Sequence, residues 1–141
     1  MGEPKIAGLS HLTLAVSDLG RSVSFYRDVL GLPLRCLWDE GAYFERGSLW
    51  LCLALDTEAV SARRSDYTHV ALEVASEDFD ALSARVRAAA PVWQENRSEG
   101  ASLYFLDPDG HKLELHVGTL DTRLAAYLAR PGLGREVFPR P

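Results

Sequence analysis

The alternation of apolar and polar positions marks one short pattern that the chain runs through twice. In HLTLAV, from His11 to Val16, an extended strand places Leu12, Leu14 and Val16 on one side and His11, Thr13 and Ala15 on the other. Asp18 is a good N-cap, and behind it Leu19, Val23, Tyr26 and Leu30 recur at helical spacing. Gly31 and Pro33 end that helix. Three further strands are predicted, Leu34 to Trp38, Ala42 to Glu45 and Leu49 to Leu55, separated by Glu40-Gly41 and Arg46-Gly47.

A polar stretch over residues 57–65 leads into the second copy. HVALEV, opening on His69, is the first strand. Ser76 is the expected N-cap, with Glu77 and Asp78 in the first helical turn, and Phe79, Leu82, Val86 and Ala89 form the apolar stripe that Pro91 stops. Strands follow at Val92 to Glu95, Leu103 to Leu106 and Lys112 to Val117, the last two joined by the turn DPDG. A short helix is predicted over about 121–128. The pattern gives an α+β fold, a single domain over 1–141 built from two strand-helix-three-strand (βαβββ) modules at about 9–56 and 67–118. One such module cannot enclose a cavity, whereas two can form a cup of mixed sheet with helices outside.

Chemistry enters with the residues that head the two copies. A lone histidine at the start of a strand is more often hydrogen-bonded and half-buried than a metal ligand. Here His11 and His69 hold the same place in two repeats, and Glu114 lies in the last strand of the second. Two histidines and one carboxylate leave coordination positions open, which favours catalysis over a structural metal. Glu114, between Leu113 and Leu115, is costly on a buried face unless a cation or base meets it. The competing picture puts Lys112, Glu114 and His116 on a solvated face. His116 shares Glu114's face and is expected to support it rather than ligate. His111, after the turn, is expected to be exposed.

Composition narrows the classes. The 141 residues suit one ordinary domain, and 47% apolar with 25% charged residues is a globular mix. A net charge of -5 argues against a nucleic-acid surface. No apolar run approaches membrane-spanning length, and the start lacks a signal core. Cys36 and Cys52 have neither metal nor redox spacing, so a cytoplasmic protein with reduced thiols is expected.

HLTLAV with its following DL, then LGLPL, GSLWLCL, DYTH, NRSEGASLYFLDPDGHKLELHVG and TRLAA, together resemble the fosfomycin-resistance glutathione transferases of the FosA type. These belong to the vicinal oxygen chelate, or glyoxalase/bleomycin resistance, superfamily. The likeness runs from about residue 6 to 130. GHKLELH alone is common across the superfamily; DYTH followed by NRSEGAS and YFLDPDGH is far more specific.

The resemblance implies manganese held by His11, His69 and Glu114, and a homodimer whose subunits exchange modules, so that His11 comes from one chain and the other two ligands from its partner. It implies that glutathione opens the epoxide of fosfomycin. Thr13, Tyr104 and Arg123 match positions that hold the phosphonate and oxirane oxygens. Ser98 and Ser102 match residues tied to phosphonate contact and an activating potassium ion. Tyr43, Trp50, Cys52 and Tyr67 match cavity-lining residues.

Two departures stand out. Gln94 occupies the place of a family lysine that neutralises the phosphonate, and a charged hydrogen bond is worth about 1.5–3 kcal/mol. Glu40 adds an acid near the expected thiol entry. Arg97 and Glu99 read as loop solubility, and a surface helix pair is the ordinary alternative for Arg123.

Other functions remain open on the same residues. A metal-dependent epoxide hydrolase would use Glu40 or Glu45 as base, although the superfamily's hydrolases carry a longer loop there. A ring-cleaving dioxygenase also uses two histidines and a glutamate, but such enzymes lack the NRSEG loop. A non-catalytic drug-binding protein of this fold usually lacks the full triad.

Overall fold

The computed structural model describes residues 2–141. The first module contains β1 (Leu12–Val16), α1 (Leu19–Ser24), β2 (Leu34–Trp38), β3 (Gly41–Arg46) and β4 (Leu49–Leu55). The second contains β5 (Val70–Glu73), α2 (Ser76–Ala89), β6 (Val92–Gln94), β7 (Ser102–Leu106) and β8 (Lys112–His116), and α3 (Leu120–Leu128) follows. The predicted order of strand, helix and three strands is therefore found twice. Each module makes a four-stranded sheet, ordered β1-β4-β3-β2 in one and β5-β8-β7-β6 in the other. In both, the outer first strand runs parallel to the last, and the other pairs are antiparallel.

The described chain divides into two compact units, residues 2–65 with 107–111, and residues 66–106 with 112–141. In the first, Leu14, Val16, Phe44, Leu51 and Leu53 fill the buried face of the sheet, with Val23 and Tyr26 from the helical segment also buried. In the second, Leu103, Phe105, Leu113 and Leu115 form the sheet's buried face, with Val86 of α2. Each fully buried side chain of this size contributes roughly 1.5–3 kcal/mol. Among the described residues no helix is long and apolar enough to cross a membrane.

Local details depart from the sequence pattern in three places. Asp18 caps α1 as expected, accepting from the Arg21 amide at 3.0 Å. The helix then widens to a π-helical turn over Phe25–Val29, where the Leu30 amide reaches back five residues to the Phe25 carbonyl at 3.1 Å. Within the wide turn the neighbours Phe25 and Tyr26 are both buried. Ser76 is the first residue of α2 rather than its cap, which falls on Ala75 and has no side-chain bond. At α3, Thr119 and Thr122 form a reciprocal capping box that the sequence pattern did not announce.

The DPDG turn belongs to the first unit, held there by buried carboxylates. Asp109 accepts from the Ser17 amide at 3.2 Å and from the Ser17 hydroxyl at 2.5 Å. Asp107 accepts from the Tyr26 hydroxyl at 2.8 Å and from the amides of Asp109 and His111. Burial pushes the Asp107 carboxyl above its ordinary value; burial, and then the adjacent Asp107 charge, hold the Tyr26 phenol well above 10. Gly110 takes a positive φ of 79°, and a Cβ there would collide with the Ala62 carbonyl. His111 is half-buried rather than exposed, since its Nε2 meets the Ala15 carbonyl at 2.8 Å.

Candidate metal centre and substrate faces

Sheet register decides which predicted residues share a face, because directly paired residues project to the same side. In the first sheet Thr13 pairs with Cys52 and Cys52 with Tyr43, making one row, and Trp50 lies opposite Glu45. Thr13, Tyr43, Trp50 and Cys52 are thus together on the face opposite the leucine core. His11 stands one residue ahead of β1, exposed, with its ring 4.4 Å from that of Trp50. Trp38, Tyr43 and Trp50 make successive edge-on contacts, centroids 4.9 and 5.5 Å apart, and all three remain exposed.

In the second sheet the matching row is Ala71, Glu114, Tyr104 and Gln94, and a neighbouring row holds Glu73, His116 and Ser102. Glu114 is 5% exposed, so the solvated-face alternative fails for it. Lys112 is buried as well: its ammonium donates to the Asp66 carbonyl and lies 5.0 Å over the Trp93 ring. His69 sits beside Glu114, with Nε2 3.2 Å from Oε1. The Tyr67 carbonyl lies 2.8 Å from the other ring nitrogen, Nδ1.

That pair of contacts tests whether the residues suit a metal. A carbonyl only accepts, so Nδ1 carries the ring proton, and a neutral His69 presents Nε2 as a bare lone pair. Glu114 Oε1 is also a lone-pair donor. Two such atoms aimed at one another are favourable only with a proton or a metal ion between them, and neutral imidazole with carboxylate is a donor set for a divalent ion. The second carboxylate oxygen, Oε2, accepts from the Ser102 hydroxyl at 2.6 Å. Among the described residues no three His, Cys, Asp or Glu side chains gather into a metal-holding group. His11 belongs to the first unit, and His69 and Glu114 to the second.

The remaining site residues are positioned by the second unit's loops. The Ser98 amide and hydroxyl both turn onto the Asn96 side chain at 3.0 Å, while Asn96 also donates to the Gly100 carbonyl at 2.8 Å. Arg123 on α3 is half-buried; it bonds the Glu99 carboxylate and carbonyl, each at 3.3 Å. Glu99 is therefore a fixed partner, not a solubilising charge. Gln94 donates to the Tyr67 hydroxyl at 3.1 Å.

Sequence reasoning missed Trp93. Its indole donates to the Leu113 carbonyl at 3.1 Å, and its ring packs edge-on against Tyr67, His69 and Tyr104. A tryptophan in a three-residue strand next to Gln94 was the available signal.

Comparison with known proteins agrees with this architecture. Residues 8–115 match the model of the Glyoxalase/Bleomycin resistance protein/Dioxygenase superfamily, and the chain belongs to that family. It is 54% identical over 132 residues to the glutathione transferase FosA of Serratia marcescens, covering 92% of this chain and 94% of that one. It is 40% identical to the metallothiol transferase FosB of Shouchella clausii, covering 86% and 88%. Among solved structures it resembles a mutant of the fosfomycin resistance protein FosX of Listeria monocytogenes complexed with Mn(II) and 1S,2S-dihydroxypropylphosphonic acid. That match has a TM-score of 0.76 and 33% identity, and covers 87% of this chain and 99% of the other. FosX from Mesorhizobium loti gives a TM-score of 0.71 at 33% identity, over 85% and 99%.

Proposed function

We propose that this protein inactivates fosfomycin by adding the thiol of glutathione to its oxirane ring, with a divalent metal, manganese, at His11, His69 and Glu114. The observation that carries the metal dependence is His69 Nε2 facing Glu114 Oε1 at 3.2 Å, with Nδ1 committed to the Tyr67 carbonyl. The resemblance to the Serratia marcescens glutathione transferase supports the thiol. A metal there supplies Lewis acidity toward the ring oxygen.

The chain's own residues do the rest. Arg123 offers a fork of donors matched to the phosphonate. The hydroxyls of Thr13 and Tyr104 donate to the phosphonate and oxirane oxygens, and Tyr43, Trp50, Cys52, Tyr67 and Gln94 wall the cavity. As the sulfur–carbon bond forms, the carbon–oxygen bond breaks, and the released oxygen takes a proton to become a hydroxyl. Ser98 and Ser102, on and beside the loop from Asn96, are the place for an activating potassium ion.

A homodimer completes the ligand set, with His11 of one subunit meeting His69 and Glu114 of the partner, in a cytoplasmic protein whose Cys36 and Cys52 are unpaired. The test is a mass-resolved assay with fosfomycin, glutathione, Mn(II) and potassium. A metal-dependent glutathione adduct, absent with His69→Ala, is expected. A diol would instead assign hydrolysis, and no turnover would overturn the substrate.

A further inference from the structure

His116 has no place in the chemistry above, yet it lies at the centre of the second unit's polar face. Its Nδ1 is 2.7 Å from the Ser102 hydroxyl and 3.4 Å from Glu114 Oε2, and its Nε2 is 3.5 Å from a terminal nitrogen of Arg123. The direction of these bonds is fixed from both ends. Glu114, as a carboxylate, only accepts, so the single proton of Ser102 goes to Oε2 at 2.6 Å. Ser102 must then accept from His116, which puts the ring proton on Nδ1. From the other end, Arg123 only donates, so Nε2 must be the lone pair. Both ends require the same neutral tautomer.

We infer that His116 is a positioning residue. It donates to Ser102 so that the Ser102 proton is committed to Glu114, and its other nitrogen receives Arg123, tying the anion-binding arginine to the metal-binding carboxylate. The polarity runs one way, from Arg123 through His116 and Ser102 to Glu114 Oε2, leaving Oε1 for the side of His69. Gly100 and Gly118 flank this ring at positive φ, 83° and 134°. A Cβ at Gly100 would strike the Val117 carbonyl first and lie 3.0 Å from the imidazole, and one at Gly118 would meet His116 Nε2 and Thr122 Oγ1, both at 3.1 Å. A side chain with no function beyond filling space would not need one tautomer fixed from both sides.

The inference rests on the metal reading above, and its test separates the two. Mn(II) binding is followed by the loss of the free-ion electron paramagnetic resonance signal in the wild type, His116→Ala, His116→Asn and His116→Gln. Asparagine can place an N–H where Nδ1 donates, and glutamine extends to the Nε2 side. Outer partners of metal ligands typically alter affinity about 10- to 100-fold, so His116→Ala should weaken Mn(II) by that factor and His116→Asn should recover most of it. Metal-free melting temperatures measured alongside should rank the variants differently, because packing loss follows volume. Equal affinity in wild type and His116→Ala, or affinities that simply follow the metal-free melting temperature, would overturn the positioning role. Absence of Mn(II) binding in the wild type would overturn the metal reading itself, and this inference with it.

Discussion

Matched strand by strand, the two sheets share order, direction and register but not chemistry. The row Thr13, Cys52, Tyr43 of the first corresponds to Ala71, Glu114, Tyr104 of the second. The first sheet's open face is aromatic and exposed, with Trp38, Tyr43 and Trp50 stacked edge to edge. The second holds Glu114 and Lys112 buried, each with hydrogen-bond partners of its own. One backbone plan thus supports a face that supplies shape and aromatic surface and another that supplies ordered charge. The contrast is expected if the first must be covered by something to become a cavity wall, whereas the second is already pre-organised.

The sharpest way to break the comparison is at its matched ligand row. Glu114→Gln should lower Mn(II) affinity by more than about 100-fold, beyond what loss of an outer partner produces, as measured by metal titration. Cys52→Ala at the corresponding position is expected to leave that affinity within about 3-fold of wild type, and a large loss there would show that the first sheet's row carries a ligand besides His11.

Stability should separate the faces next. Trp93 is buried and bonded, so Trp93→Ala should cost about 3–5 kcal/mol in denaturant unfolding. Trp50 is 39% exposed, and Trp50→Ala should cost well under half as much, with its effect falling on turnover instead. An effect smaller than that at Trp93 is expected where the DPDG turn is held within the first unit. Asp109→Ala leaves the Ser17 amide and hydroxyl without their acceptor, a loss of about 1.5–3 kcal/mol by the same unfolding measurement.

Much of this was legible in the chain. Period-two alternation located all eight strands to within one residue at most of their ends, and the paired histidines with Glu114 marked the candidate ligands. Register was not legible, and it is register that places Tyr104 and Gln94 in Glu114's row and Ser102 in His116's. Alternation could not say whether Lys112, Glu114 and His116 faced solvent, because leucines at the intervening positions suit either case. Glu99 looked like a loop charge since its partner, Arg123, lies 24 residues away. His111 looked exposed for the same reason, since its partner Ala15 lies far earlier in the chain, and the partners that bury the two turn aspartates, Ser17 and Tyr26, are likewise more than 80 residues earlier.

The central claim, that the aromatic face of one subunit and the charged face of its partner build one metal site, is tested most directly by mixing two dead variants. His11→Ala and His69→Ala homodimers should each lack adduct formation. Dissociated, mixed in equal amounts and re-associated, they should regain about a quarter of wild-type activity, because half the dimers are hybrids with one intact site of two. No recovery in hybrids confirmed by mass would contradict the account, since a site built within one chain would stay broken in every subunit.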